Sequence, residues 1–225
     1  MRDFGEIVVL AAADRKGGIL ALDDALATTP ALVSSAIAAI PDDRILAEMT
    51  RRIFNAGFSS KVIEAKWPAF EAAFMDFDVN ACAFLSDDHF DALMQDRGIV
   101  RNGAKIRAVQ INAQLVLDLA SSHGSAARYF ADWPDNDYVG LLNLLKERGS
   151  YLSGDAGMRF LRTIGKPAFI TTKDVVAALV REGVIARAPT GKRDYAAIQE
   201  AFNRWSEQSG RNLTEISRIL AMSFP

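Results

Sequence analysis

The chain has 225 residues, half of them apolar, with 26 lysines and arginines against 28 aspartates and glutamates and a formal net charge of −2. That apolar share can bury a core as one compact domain or as two small lobes, which excludes a disordered chain, and the near-neutral charge excludes wholesale electrostatic capture of a polyanion. One cysteine, Cys82, excludes an internal disulfide, and with only His89 and His123 beside it there is no set of soft zinc ligands. Neither a metal nor any other cofactor is expected. No apolar run approaches the roughly 20 residues needed to cross a bilayer, and Asp3, Glu6 and Asp14 interrupt the N-terminus where a signal peptide stays apolar. A cytoplasmic protein without membrane contact is expected.

Apolar residues recur at three- and four-residue spacing from end to end, and alternating β-branched runs are scarce, so an all-α protein is predicted. The first helices are Phe4–Asp14 and Leu22–Ala31, separated by "RKGG", whose Arg15 and Lys16 either contact phosphate or cap a helix. Asp42–Asn55 and Ser59–Phe74 follow, hinged on Gly57, then Val79–Phe84 and Asp87–Gln95, the last opened by a Ser86 cap and first-turn acids. Next come Asn102–Ser122 and Ala126–Trp133, and "PDND", Pro134 to Asp137, reads as a crossing between lobes. Tyr138–Arg148, Gly154–Ile164, Lys173–Glu182 (capped by Thr171 or Thr172), Asp194–Ser209 and Asn212–Phe224 complete the chain. Trp67, Trp133 and Trp205 sit in helical apolar patterns and read as core. Many short helices joined by glycine-bearing turns make a compact fold rather than a bundle of a few long helices.

Charge is uneven along this frame. Residues 1–96 hold 8 cations and 16 anions, whereas residues 146–193 hold 10 cations and 4 anions. The basic segment contains "LKERGSYLSGDAGMRFLRTIG", in which one helix ends at Gly149, a short hairpin follows, and a second helix begins near Gly154. Such a turn aims successive backbone N–H groups and the positive end of a helix at one point, where a phosphate oxygen is the natural guest. Contacts of this kind position a duplex without reading its sequence.

"LSGDAGMRFL" resembles the hairpin of the helix-hairpin-helix DNA glycosylase superfamily, and "GKPAFITTKDVV" resembles the turn after it, where that superfamily commonly places an aspartate before the next helix. Asp174 stands there. Upstream, "AGFSS", "FEAAF" and "LMQDRGIVRNGAKIRAVQINA" resemble bacterial 3-methyladenine DNA glycosylase I, with Gly98, Ile99, Arg101, Lys105, Ile106, Ala108 and Asn112 in register. The resemblance covers residues 50–185. It implies a compact multi-helix helix-hairpin-helix glycosylase-like fold with a cleft between two helical lobes. Residues 1–225 would then form a single glycosylase-like domain with its hairpin segment at about 145–185. The implied activity is hydrolysis of the N-glycosidic bond of alkylated purines such as 3-methyladenine, by a monomer acting on double-stranded DNA. Two departures stand out: the family's active-site glutamate falls on Arg52 and a pocket tryptophan on Ser60, and the family's structural zinc has no ligands here.

A glycosylase must extrude its nucleotide, fill the gap in the stack and stabilise positive charge on the sugar. The carboxylate for the last task is expected at Asp174, whose alternative role is balancing a helix dipole. Glu48 is the second candidate, against a surface i,i+4 pair with Arg52. Phe58 is the expected wedge, or else a core residue. Asn55 would bind a base edge or cap a helix C-terminus, and Arg52 and Ser60 line the expected base pocket. Phosphate contacts are expected from Ser153, Gly154 and Gly157 at the hairpin, and from Arg101 and Lys105, with a solvated helix face as the alternative for the lysine. No lysine lies in the hairpin, Lys166 and Lys173 only flank it, and monofunctional chemistry is therefore expected. The rival reading is a non-catalytic protein that binds damaged or distorted DNA on the same scaffold.

Overall fold

The computed structural model describes residues 1–13, 17–28 and 30–224, and among them all regular structure is helical. Asp14, Arg15 and Lys16 lie outside the described residues. In chain order the helices are α1 (Phe4–Ala13), α2 (Gly18–Ala27), α3 (Ser34–Ala38), α4 (Asp42–Asn55), α5 (Ser60–Ala73), α6 (Val79–Ala83), α7 (Asp87–Gln95), α8 (Gly103–His123), α9 (Ala126–Asp132), α10 (Tyr138–Arg148), α11 (Asp155–Thr163), α12 (Lys173–Arg181), α13 (Lys192–Ser209) and α14 (Leu213–Met222), with 3-10 turns at Met75–Phe77 and Asp135–Asp137. The all-α expectation holds, and most boundaries fall within a residue or two of those read from sequence. Helix α2 starts four residues earlier than expected, behind a left-handed Gly17, and α3 was not expected at all.

These helices form two compact units: residues 33–133 with 141–166, and residues 1–32 with 134–140 and 167–225. The chain passes from one to the other at Trp133/Pro134, where "PDND" was read as a crossing. The first-named unit, called the α8 unit below, is built around α8. Its Asn102 cap accepts the Lys105 N–H at 3.1 Å, and its buried positions include Ile106, Val109, Ala113 and Val116. Against it lies a run of rings from α4, α5 and the first 3-10 turn: Phe54 meets Phe70 edge-on at 4.7 Å, and Trp67 stacks on Phe77 at 5.3 Å. Each such ring taken out of water contributes roughly 1.5–3 kcal/mol. Burying Phe74 and Phe77 within three residues forces Met75, Asp76 and Phe77 all to positive φ. Arg44 holds this left-handed turn, donating from Nη2 to the Asp76 carbonyl at 2.6 Å. At the start of α4, Asp42 accepts the N–H of Ala126 at 2.9 Å and so ties α4 to the N-terminus of α9.

The other unit, the terminal unit, combines α1, α2, α12, α13 and α14. Phe4 and Trp205 pack at 6.0 Å, Phe169 and Phe202 at 4.6 Å, and the Tyr138 hydroxyl donates to the Phe169 carbonyl at 3.1 Å. Glu182, buried, accepts the Arg2 backbone N–H at 3.1 Å, the Arg2 guanidinium at 2.7 Å and the Arg181 guanidinium at 2.8 Å. An ionised carboxylate is tolerated there because both of its oxygens accept hydrogen bonds, two of the three from guanidiniums. Of the three tryptophans, Trp67 and Trp205 are buried as expected and Trp133 is half-buried.

Candidate nucleic-acid interface

Three surface segments of the α8 unit are anchored on its helices: the turn after α4, the loop before α8 and the hairpin before α11. A polar side chain from a helix reaches each of them: Lys105, Lys66 and Asn112 in turn. In the turn after α4, Gly57 takes φ 83 and Phe58 is 43% exposed, so the ring stands outside the core. Lys105 reaches this turn from the first coil of α8, its ammonium donating to the Ala56 carbonyl at 2.5 Å and lying 5.0 Å from the centre of the Phe58 ring. Ser59 stands at the N-cap position of α5 without a side-chain capping bond, and Ser60, the first residue of the helix, is exposed. Asn55 closes α4, with its Oδ1 buried and unpartnered among the described residues; the alternative of a helix-capping amide finds no hydrogen bond.

In the loop before α8, Lys66 of α5 donates to the carbonyls of Arg97 at 2.8 Å and Gly98 at 2.9 Å. Asp96 accepts the Gly98 N–H at 2.6 Å, and Ile99 is buried beneath. The loop is thereby held from three sides, and Arg97 and Arg101 remain exposed on it. Lys66 and Arg97 had no part in the expectation. Their roles depend on a contact across some 30 residues, which spacing cannot show.

In the hairpin, Asn112 of α8 is fully buried and its amide engages both backbone groups of Ser150, donating to the carbonyl at 3.0 Å and accepting the N–H at 2.8 Å. Leu152 is buried, Ser153 and Gly154 are exposed, and Gly154 takes φ 59, ψ −131, a region open only to glycine. The first N–H groups of α11 follow it without intrahelical partners, as at any helix start. Gly157 is buried instead. A Cβ there would meet the Leu152 carbonyl at 2.3 Å, so this glycine allows close approach of α11 to the hairpin.

Lys105 corrects an expectation. It is 6% exposed, with burial lowering its pKa, and it serves the turn after α4 rather than solvent. Glu48 is neither free nor on the open surface. Its Oε1 accepts from Arg52 Nε at 2.6 Å and its Oε2 lies 3.6 Å from Arg51 Nε. Burial raises its pKa, an effect opposed by Arg52 and Arg51 and reinforced by Glu64. Arg52 also donates from Nη2 to Thr163 Oγ1 at 2.7 Å, joining α4 to the end of α11. Arg51 pairs with Glu64 and stacks 3.8 Å over Trp67. Asp174, exposed in the first turn of α12 behind the Thr172 cap, belongs to the terminal unit.

Residues 38–142 match the family model described as methyladenine glycosylase. Over that segment the chain is similar to the methyladenine glycosylases. A variant of 3-methyladenine DNA glycosylase I in complex with 3-methyladenine superposes with TM-score 0.51 at 22% identity, over 56% of this chain and 77% of that one. Another structure of that enzyme covers 55% of this chain and 79% of its own at 21% identity with TM-score 0.48. A variant from Staphylococcus aureus covers 82% and 99% at 19% identity with TM-score 0.47. The matched segment holds Arg52, Asn55, Phe58, Ser60, Arg101, Lys105 and Asn112, while the hairpin and Asp174 lie beyond it.

The zinc that the resemblance implies does not fit these residues. Cys82 is buried on α6 with its thiol donating to the Phe74 carbonyl, and burial pushes its pKa up to about 12. His89 lies against the Ala73 carbonyl and His123 packs edge-on against Tyr129. Among the described residues no group of three or more His, Cys, Asp or Glu is placed to hold a metal, and no helix is long and apolar enough to cross a membrane.

Proposed function

We propose that this protein is a base-excision DNA glycosylase that hydrolyses the N-glycosidic bond of an alkylated purine such as 3-methyladenine, acting as a monomer on double-stranded DNA in the cytoplasm. The observation that carries the reading is the anchoring of the hairpin and the Arg101 loop on α8 and its neighbours, α8 itself lying in the segment, residues 38–142, that matches the methyladenine glycosylase family model. Ser153, Gly154 and the first N–H groups of α11 hold a phosphate, Arg101 adds a second contact, and exposed Phe58 fills the gap left by the extruded nucleotide.

An alkylated purine carries positive charge in DNA and leaves as a neutral base once the bond to C1′ breaks, so a modest catalyst suffices. Water supplies the oxygen that replaces the base on C1′ and loses a proton. The carboxylate of Asp174 is assigned to orient that water and to stabilise the developing charge on the sugar. The Lys166 ammonium, which flanks the hairpin, is buried and donates to the carbonyls of Ala131 and Trp133, which removes it as an amine nucleophile. This supports monofunctional chemistry. The test is release of free base from methylated duplex by wild type and Asp174→Asn at matched, low salt. Release that collapses in the variant supports the assignment, and release that persists moves the catalytic role elsewhere.

One observation favours the rival, a non-catalytic reader of damaged or distorted DNA. Arg52 stands where the family's glutamate is expected, and the nearest carboxylate, Glu48, is already engaged by two guanidiniums. No base release by either protein, with duplex binding retained, would select it.

A further inference from the structure

Tyr151 is the residue in the hairpin that its packing does not explain. It adopts φ 58, the left-handed region that costs a side chain with a Cβ and that glycine or asparagine enters readily. A non-glycine residue persists there only where its surroundings hold it, and such positions cluster at binding and catalytic sites. Its surroundings do hold it. On one side, Asn112 fixes both backbone groups of Ser150, and on the other, Leu152 is buried with its carbonyl against Gly157. The tyrosine side chain gains little from this arrangement: it is 50% exposed, and its hydroxyl hydrogen-bonds to no described residue. Burial would explain a strained tyrosine, and exposure would explain a strained glycine. The combination of strain, rigid flanks and a large exposed ring calls for an external partner.

We propose that Tyr151 is a DNA-contacting residue, laying its ring against a deoxyribose and donating its hydroxyl to the phosphate next to the one held by Ser153 and Gly154. Tyrosine is among the side chains that position a duplex through sugar and phosphate. A ring with only two side-chain torsions, on a backbone already fixed, loses little freedom on binding. The inference rests on the reading of this chain as a DNA-acting protein, and Asn112 enters it as the positioning residue that sets the angle of the ring.

The experiment measures affinity for an undamaged duplex and thermal unfolding for wild type, Tyr151→Gly and Tyr151→Phe. Glycine relieves the backbone strain, so Tyr151→Gly should melt at the wild-type temperature or above it while binding DNA about fivefold or more weakly. Tyr151→Phe should melt like wild type and lose about twofold or more, reporting the hydroxyl. The slope of log affinity against log salt should stay unchanged in both, because no cation is removed. Affinity of Tyr151→Gly within about twofold of wild type overturns the proposal, as does a drop in its melting temperature, which would mark the ring as a packing element. Phenylalanine binding like tyrosine overturns the hydroxyl contact. Failure of wild type itself to bind duplex overturns the DNA-acting reading along with it.

Discussion

Arg52 and Glu48 form a side-on ion pair one helical turn apart, with Nε and Oε1 separated by 2.6 Å, yet the carboxyl still takes up a proton more readily than an ordinary glutamate. Burial outweighs the attraction of both Arg52 and Arg51, and Glu64 adds to the upward push. Because the folded-state pKa lies above the ordinary 4.5, the folded form binds the proton more tightly than the unfolded chain. Stability from this source is fully present below pH 4.5 and is lost as pH rises through the folded pKa. Denaturant titrations of wild type and Glu48→Gln across that range should show wild type losing ground as pH increases. A pH-independent difference would contradict this.

Glu182 should behave in the opposite sense. Burial, its largest single influence, pushes the pKa up, but hydrogen bonds from Arg181 and from the Arg2 backbone and guanidinium together hold it below 4.5. Its contribution is therefore present above pH 4.5 and lost as pH falls through the lower folded value. Glu182→Gln should be less stable than wild type near neutrality, with the gap closing in acid. A gap that widens in acid would reject the assignment.

Arg101 and Lys105, four residues apart, should separate cleanly in DNA binding. Arg101→Ala should weaken binding about equally across duplex sequences and reduce the salt slope by about 1. Lys105→Met should leave that slope unchanged and destabilise the protein by about 1–2 kcal/mol, through the freed Ala56 carbonyl and the lost contact with the Phe58 ring. Equal slopes for wild type and Arg101→Ala would remove that arginine from the interface.

Gly157→Ala should destabilise the protein by about 1–3 kcal/mol, since the Leu152 carbonyl 2.3 Å from the new methyl is backbone and must move. Gly154→Ala meets open space and pays only for its dihedral angles, about 1–3 kcal/mol. The two separate in DNA affinity measured on folded protein. The displaced hairpin of Gly157→Ala should bind more weakly even though Gly157 touches nothing outside the protein. Wild-type affinity in that variant would refute the packing account.

Much of this was legible in the sequence because most helices announce themselves by caps and period. Ser86, Asn102 and Thr172 each accept an N–H from the first turn they open. Five-residue α3 escaped because "SSAIA" is shorter than two turns and carries no period. Lys105 was misread although a signal was present: Lys105, Val109, Asn112 and Val116 recur at four, three and four, which places the lysine on the buried stripe of α8. Its charge argued for solvent, and its long aliphatic stem allowed burial with only the ammonium engaged. Glu48 and Arg52 were correctly paired by spacing, but their burial depends on contacts with distant segments, such as Thr163, that local pattern does not carry.

The division of the chain also orders its birth. Every segment of the α8 unit has been synthesised once residue 166 is made, so that unit can close while residues 167–225 are still being translated. The terminal unit begins with α1 but cannot cover Phe4 until Trp205 arrives about two hundred residues later. During that interval α1 and α2 are a nascent apolar surface, and slow translation or scarce chaperone should tell first on these two helices.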